Sequence, residues 1–131
     1  MHPTRHISIS INRSPADVYA FASNPENLLQ WAAGLSGASI EKSGDEWICE
    51  SPMGRVKVKF AEQNSFWVMD HDVTLPNGEV NHNPFRVLAN GLGAEVVFTL
   101  FKLPRMSAEE FEQDAALIAK DLETLRRLLE K

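Results

Sequence analysis

The sequence predicts an α+β domain: a curved, seven-stranded antiparallel sheet wrapped around one long C-terminal helix, with two short helices after the first strand. Three observations carry this prediction. Phe111, Ala115, Ile118, Leu122, Leu125 and Leu129 recur at steps of four and three, which places them on one face of a helix. From Ser36 to Lys102 the chain reads as consecutive hairpins whose turns are rich in Gly, Asn, Pro and Ser. Ahead of them, two capping residues each stand directly before a proline.

The elements follow in order. His6 to Asn12 alternates, with Ile7, Ile9 and Ile11 on one side and Ser8 and Ser10 on the other, as a half-buried strand does. Ser14-Pro15 and Asn24-Pro25 open two short helices, because proline at the first helical position misses no amide bond. Asp17 sits near the positive end of the first helix dipole. Val18, Tyr19, Phe21, Leu28, Leu29 and Trp31 are their core candidates, and Gly34 is the expected stop. The remaining strands are expected at 37–42, 46–50, 54–61, 65–73, 79–89 and 94–102. Ser107 caps the last helix, Glu110 completes a capping box, and Met106 with Phe111 forms a hydrophobic staple. Glu109, Glu112, Lys120, Glu123, Arg127 and Glu130 make the solvent face, where Glu123 is spaced to pair with Arg127.

One parity of each strand must face the long helix, and this fixes a register. Lys57 and Lys59 belong in water, so Val56, Val58 and Phe60 face in. The turns then set Cys49 against Val56, Trp47 against Val58 and Ile40 against Trp47. They also set Phe60 against Phe66 and Val58 against Val68. Val87 is set against Val96 and Phe85 against Phe98. A two-residue Asn77-Gly78 turn pairs Val68 with Val87 and Asp70 with Phe85.

A chain of 131 residues suits one domain with its own core. A net charge of −5 and a pI near 5.3 argue against nucleic acid and anionic membrane as partners. Cys49 is alone, so no internal disulfide forms, and the N-terminus has no apolar signal core. The reading is of a cytoplasmic protein. No glycine run has phosphate-loop spacing, and no cofactor is expected.

The order of elements resembles the helix-grip fold of the START/Bet v 1-like (SRPBCC) superfamily. The matching residues are Ile7 to Ile11, Ser14-Pro15-Ala16-Asp17-Val18-Tyr19, Asn24-Pro25-Glu26-Asn27 and Trp31. Downstream, Glu95 to Phe101 and Asp121 to Glu130 are similar to bacterial members called polyketide cyclase-like. The resemblance spans essentially the whole chain, but its motifs are structural and bring no catalytic signature. It implies a small apolar or aromatic ligand held between sheet and long helix, and in some members cyclisation or dehydration.

By the expected register Asp70 points into the concave face beside Phe85, with Asp72 and Asn83 towards the strand end. A carboxylate there has its pKa raised by desolvation and suits a catalytic proton-transfer group or a ligand anchor. The alternative is a solvated rim carboxylate. Trp31, Trp47, Phe60, Phe66, Phe85, Phe98 and Phe111 line the expected pocket with Asp70 and Asn83, or else simply pack the core. His71 and His82 fall together on the convex face without a third ligand, so no metal site is expected. Cys49 reads as a buried inert thiol. Trp67, Met69, Leu88, Val97 and Phe101 share the convex parity, and such a cluster predicts self-association, most simply as a two-fold homodimer. Three functions follow: a hydrophobic-ligand-binding protein, a cyclase or dehydratase-like enzyme using Asp70, and an interaction module working through the convex face.

Overall fold

The computed structural model describes residues 1–32, 39–51 and 54–131. Its order is β1 (Thr4–Ile11), α1 (Pro15–Ala22), a 3-10 turn (Pro25–Asn27), α2 (Leu28–Trp31), β2 (Ser39–Ser43), β3 (Glu46–Ser51) and β4 (Gly54–Phe60). Then come β5 (His71–Thr74), β6 (Val80–Asn83), β7 (Phe85–Asn90), β8 (Gly93–Phe101) and α3 (Ala108–Leu129). The expected stop at Gly34, the start of the 37–42 strand and the Pro52-Met53 turn lie outside the described residues.

The helix signals act as their chemistry demands. The Ser14 hydroxyl accepts from the Asp17 amide at 3.2 Å, and Asn24 Oδ1 accepts from the Glu26 amide at 3.1 Å. At α3 the Ser107 hydroxyl accepts from the Glu110 amide at 3.1 Å while Glu110 Oε1 accepts from the Ser107 amide at 3.0 Å. Met106 and Phe111, on either side of that cap, are buried in one apolar cluster. Of the expected seam, Phe111, Ala115, Leu122, Leu125 and Leu129 are buried and Ile118 is half-buried. Glu123 contacts Arg127 at 3.4 Å and also pairs with Arg126.

Among the described residues there are eight strands in two antiparallel sheets, not seven in one. One sheet has the order β1-β8-β7 and the other β2-β3-β4-β5-β6. The expected strand 79–89 divides at Pro84, which has no N–H to give to a ladder. The expected strand 65–73 shortens to His71–Thr74. A bridge between Val68 and Arg86 continues the His71–Asn83 register across the gap. There the Met69 amide donates to the Phe85 carbonyl at 2.7 Å and the Val87 amide to the Trp67 carbonyl at 3.1 Å.

The expected pairs Trp47–Val58, Cys49–Val56, Val87–Val96 and Phe85–Phe98 all form. Ile40 pairs with Cys49 instead of Trp47, because the β2–β3 turn is the two residues Gly44-Asp45. That shift is even and keeps the parity. Two other shifts are odd, and they exchange the faces of the segment around β5. Phe60 pairs with His71 and Val58 with Val73, because residues 62–69 form a wide excursion instead of a tight loop. Asn64 organises it: Oδ1 accepts from the Phe66 and Val68 amides, and Nδ2 donates to the Glu62 and Val68 carbonyls. Trp67 adopts a φ of 59° within it. The β5–β6 hairpin closes with three residues, Pro76-Asn77-Gly78. The Gly78 amide donates to the Leu75 carbonyl at 2.9 Å, and Gly78 takes a φ of 90°. Pro76 prefers the second position of a type I turn, and glycine then supplies the left-handed residue that closes the loop.

α3 packs chiefly against β1. The largest apolar cluster joins α1, α2, β1, β7, β8 and the C-terminal half of α3, with Val18, Phe85, Val96, Leu122 and Leu125 at its centre. A second cluster of Leu100, Met106, Phe111 and Ala115 surrounds the N-terminal half of α3. A third, of Cys49, Val56 and Val58, belongs to the five-stranded sheet. No helix among the described residues is long and apolar enough to cross a membrane.

Candidate functional site

The two odd register shifts decide which side chains meet. His71 comes to the inner face beside Phe60, Phe85 and Phe98, with ring centroids 5.0, 6.0 and 6.0 Å away. Phe85 and Phe98 lie 5.4 Å apart, and Trp31 stands 5.9 Å from Phe85. His71 lies deep in the molecule yet retains some accessible surface. Its Nδ1 is 3.0 Å from the Met69 carbonyl, which can only accept, so Nδ1 carries the proton. Nε2 is then a lone pair, 3.4 Å from Asn83 Nδ2. Burial pushes the imidazole pKa down, against the opposing pull of the Met69 carbonyl and of Asp70, so the ring is neutral at pH 7.

Asn83 links this aromatic group to a partly open cavity of about 290 Å³. Leu75, Asn81, His82 and Asn83 of the β5–β6 hairpin form one wall. Leu100 and Phe101 of β8, with Leu103, Arg105 and Met106 of the connection, form the second. Glu110 and Asp114 of α3 close it. Its apolar lining is the edge of the cluster under the N-terminal half of α3. Arg105 is ion-paired with Glu79 and donates to Asn81 Oδ1 at 2.9 Å. Glu110 is held ionised, first by the Ser107 amide it caps. Asp114 differs. Burial raises its carboxyl pKa and neighbouring Glu110 adds to this, while Arg105 opposes it. No hydrogen bond or ion pair engages Asp114 among the described residues.

Of the expected pocket residues, Trp31, Phe60, Phe85 and Phe98 gather around His71, and Asn83 lines the cavity. Four others lie elsewhere. Trp47 is half-buried on β3, outside the ring cluster. Phe66 is carried out by the Asn64 loop and is 78% exposed. Phe111 is buried in the second cluster under the Arg5 guanidinium, 5.1 Å from its ring centroid. Asp70 does not point into the apolar face. Its Oδ1 accepts from the Phe85 amide at 2.8 Å, and Arg86 binds both carboxylate oxygens, at 3.2 and 2.9 Å. Burial alone would raise its pKa, but Arg86 and the Phe85 amide outweigh that and hold it low.

The expected convex cluster also disperses. Met69 is buried in the core, and Trp67 is half-buried against it. Phe101 lines the cavity described above. Only Leu88 and Val97 share an outer depression, with His6, Pro84, Arg86 and Thr99. The two histidines part as well. His82 stays exposed at the cavity's edge and pairs with Asp72 at 2.6 Å. Sequence reading missed His71 because of the three-residue hairpin, whose signal is Pro76 before Asn77-Gly78. It passed over Asp114, whose signal is its place three residues after Phe111 and four before Ile118, on the edge of the seam.

No protein-family model matches the chain, and no curated protein sequence does. Solved structures do match. A protein of Bacillus thuringiensis aligns over 98% of this chain and 100% of its own at 14% identity, with a TM-score of 0.76. The Aha1 dimer of Colwellia psychrerythraea aligns over 98% and 96% at 16% identity, also with a TM-score of 0.76. The chain shares their α+β fold. A third neighbour, DynU16 of the dynemicin biosynthetic locus, aligns over 98% of this chain at 12% identity and a TM-score of 0.73. There the match spans 47% of the neighbour, so the chain corresponds to about half of DynU16.

Proposed function

We propose that this protein binds a small, largely apolar ligand as a member of the START/Bet v 1-like (SRPBCC) superfamily. One observation carries the proposal: the partly open cavity of about 290 Å³ between β6, β8 and the N-terminal half of α3. Its size lies at the lower end of small-molecule sites, roughly 300–1,000 Å³, and its few polar groups stand among apolar ones as such sites require. The fold shared with a biosynthetic-locus protein supports the same reading. The ligand enters between sheet and helix, with Leu100, Leu103 and Met106 around its apolar body. Native mass spectrometry of protein purified from its own host tests this. A bound small molecule at one equivalent is the expected result. An empty protein that also takes up no apolar probe in an NMR titration would refute it.

A second reading is favoured by a specific pair of groups. His71 is kept neutral, with its Nε2 lone pair turned to Asn83 on the cavity wall, while Asp114 is shifted towards its protonated form. A carboxyl whose pKa burial moves up towards the operating pH is what general acid–base chemistry at neutral pH uses. In a cyclase or dehydratase-like enzyme, Asp114 would supply the pocket carboxylate that Asp70 does not. Binding without turnover of the isolated ligand separates the first reading from the second.

A further inference from the structure

We infer that the cavity selects a ligand whose polar end is a hydrogen-bond donor carrying positive charge, a small amine on an apolar body, with Asp114 as its anchor. The inference rests on the ligand-binding reading above and names the ligand class. It stands on which polar groups of the cavity are already engaged and which are left over. Arg105 is paired with Glu79 and Asn81, so an anionic ligand would have to displace Glu79 and then sit beside Glu110 and Asp114. Asn81 turns its carbonyl to Arg105, which leaves a neutral amide as donor on that wall. Glu110 is occupied with the helix cap.

Apart from the neutral Asn81 amide, the uncommitted groups are acceptors. Asp114 has no hydrogen-bond or ion-pair partner among the described residues, although it is partly buried beside apolar side chains. A desolvated, unpaired carboxylate is costly, and a cation that fills the cavity removes the cost. Asn83 is set independently. The Met69 carbonyl fixes the His71 proton on Nδ1, so Nε2 must accept, and the Asn83 amide nitrogen must face it. That orientation leaves Asn83 Oδ1 as an acceptor without a partner among the described residues. Two acceptors lining one cavity, one of them charged, fit an ammonium group, which donates up to three hydrogen bonds and accepts none. His71 thus acts here as a positioning residue for Asn83.

The test compares three probes of one shape on the full chain by isothermal titration calorimetry at pH 7: 2-phenylethylamine, propylbenzene and 3-phenylpropionate. The amine is expected to bind roughly tenfold tighter or better than the other two, as a charge-assisted hydrogen bond in a partly desolvated site provides. Asp114→Asn should bring the amine down to the affinity of propylbenzene, with circular dichroism verifying the fold. Glu112→Gln, which removes a carboxylate paired with Arg5 outside the cavity, should keep the preference. If propylbenzene or 3-phenylpropionate binds as tightly as the amine, the inference fails and the ligand-binding reading stands. If the preference persists in Asp114→Asn, Asp114 is not the anchor. Binding of none of the three overturns both.

Discussion

Asp70 offers the sharpest test, because the sequence and the structure predict opposite outcomes for it. In the structure its carboxylate stands in for a strand carbonyl. Phe85 is 1% exposed, and its amide donates to Asp70 Oδ1, where Pro84 has interrupted the ladder. Asp70→Ala strips that buried amide of its acceptor, at a cost of about 1–3 kcal/mol, and removes a pair with a half-exposed arginine worth about 0.2–1 kcal/mol. Asp70→Asn keeps an oxygen for the Phe85 amide and loses mainly the pair, so it should cost less than about 1 kcal/mol. For a chain of this size each kcal/mol is roughly 3–5 °C in the melting temperature. The pH dependence has a definite sign. The folded pKa is depressed, so the stabilisation is fully present above the unfolded value of about 3.9 and is lost as pH falls through the folded value. Urea denaturation of parent, Asp70→Asn and Asp70→Ala at pH 7 and below pH 4 reads this directly. The order at pH 7 should be parent, then Asn, then Ala, converging for Asn in acid. An Asp70→Asn variant more stable than the parent at pH 7 would mean that the carboxylate is desolvated and unpaired after all.

Leu122→Ala empties a seam position that is 1% exposed and should cost about 2–5 kcal/mol, whereas Leu117→Ala at a 51% exposed position should cost only tenths in the same denaturation assay. Asp114→Asn should stabilise the empty protein at neutral pH. Its folded pKa is raised, so the unfolded state gives up the proton first and the group costs stability above the unfolded pKa; thermal melts should show the gain vanishing in acid. Trp67→Glu should lower the melting temperature by several degrees, because Trp67 packs against the main core; a monomerised protein with an unchanged melt would restore it to an outer interface.

Much of the fold was legible because it is written in local chemistry. The capping box at Ser107, the proline-capped starts at Ser14 and Asn24 and the seam of α3 each depend on residues within a few positions of one another. The β3–β4 and β7–β8 registers were legible for the same reason: short turns and clear alternation leave one solution. The 62–69 segment was not legible. Nothing in its alternation shows that Asn64 ties up four backbone groups with its own side chain, lengthens the loop and turns Phe66 out to solvent. The division of the 79–89 strand was legible in principle, since Pro84 cannot donate within a central ladder.

The candidate site shows why a single turn matters more to function than to fold. Asn77-Gly78 read as a two-residue turn puts Asp70 inside and His71 outside. Pro76-Asn77-Gly78 as a three-residue turn does the reverse. A one-residue slip leaves the strand order untouched, yet it exchanges a carboxylate for an imidazole at the centre of the aromatic group. The Asn64 loop shifts the other side of β5 by an odd number as well, so both neighbours of β5 agree on the new face. That agreement is what turns Met69 and His71 to the inner face together and leaves Asp70 to Arg86. Asp114 was hidden for a different reason. A helix pattern tells which residues face the sheet, but a cavity is a place where packing stops, and periodicity carries no record of it. The candidate polar residue is therefore the one on the seam's edge with no hydrogen-bond or ion-pair partner among the described residues, and it becomes visible only when the partners of its neighbours are known.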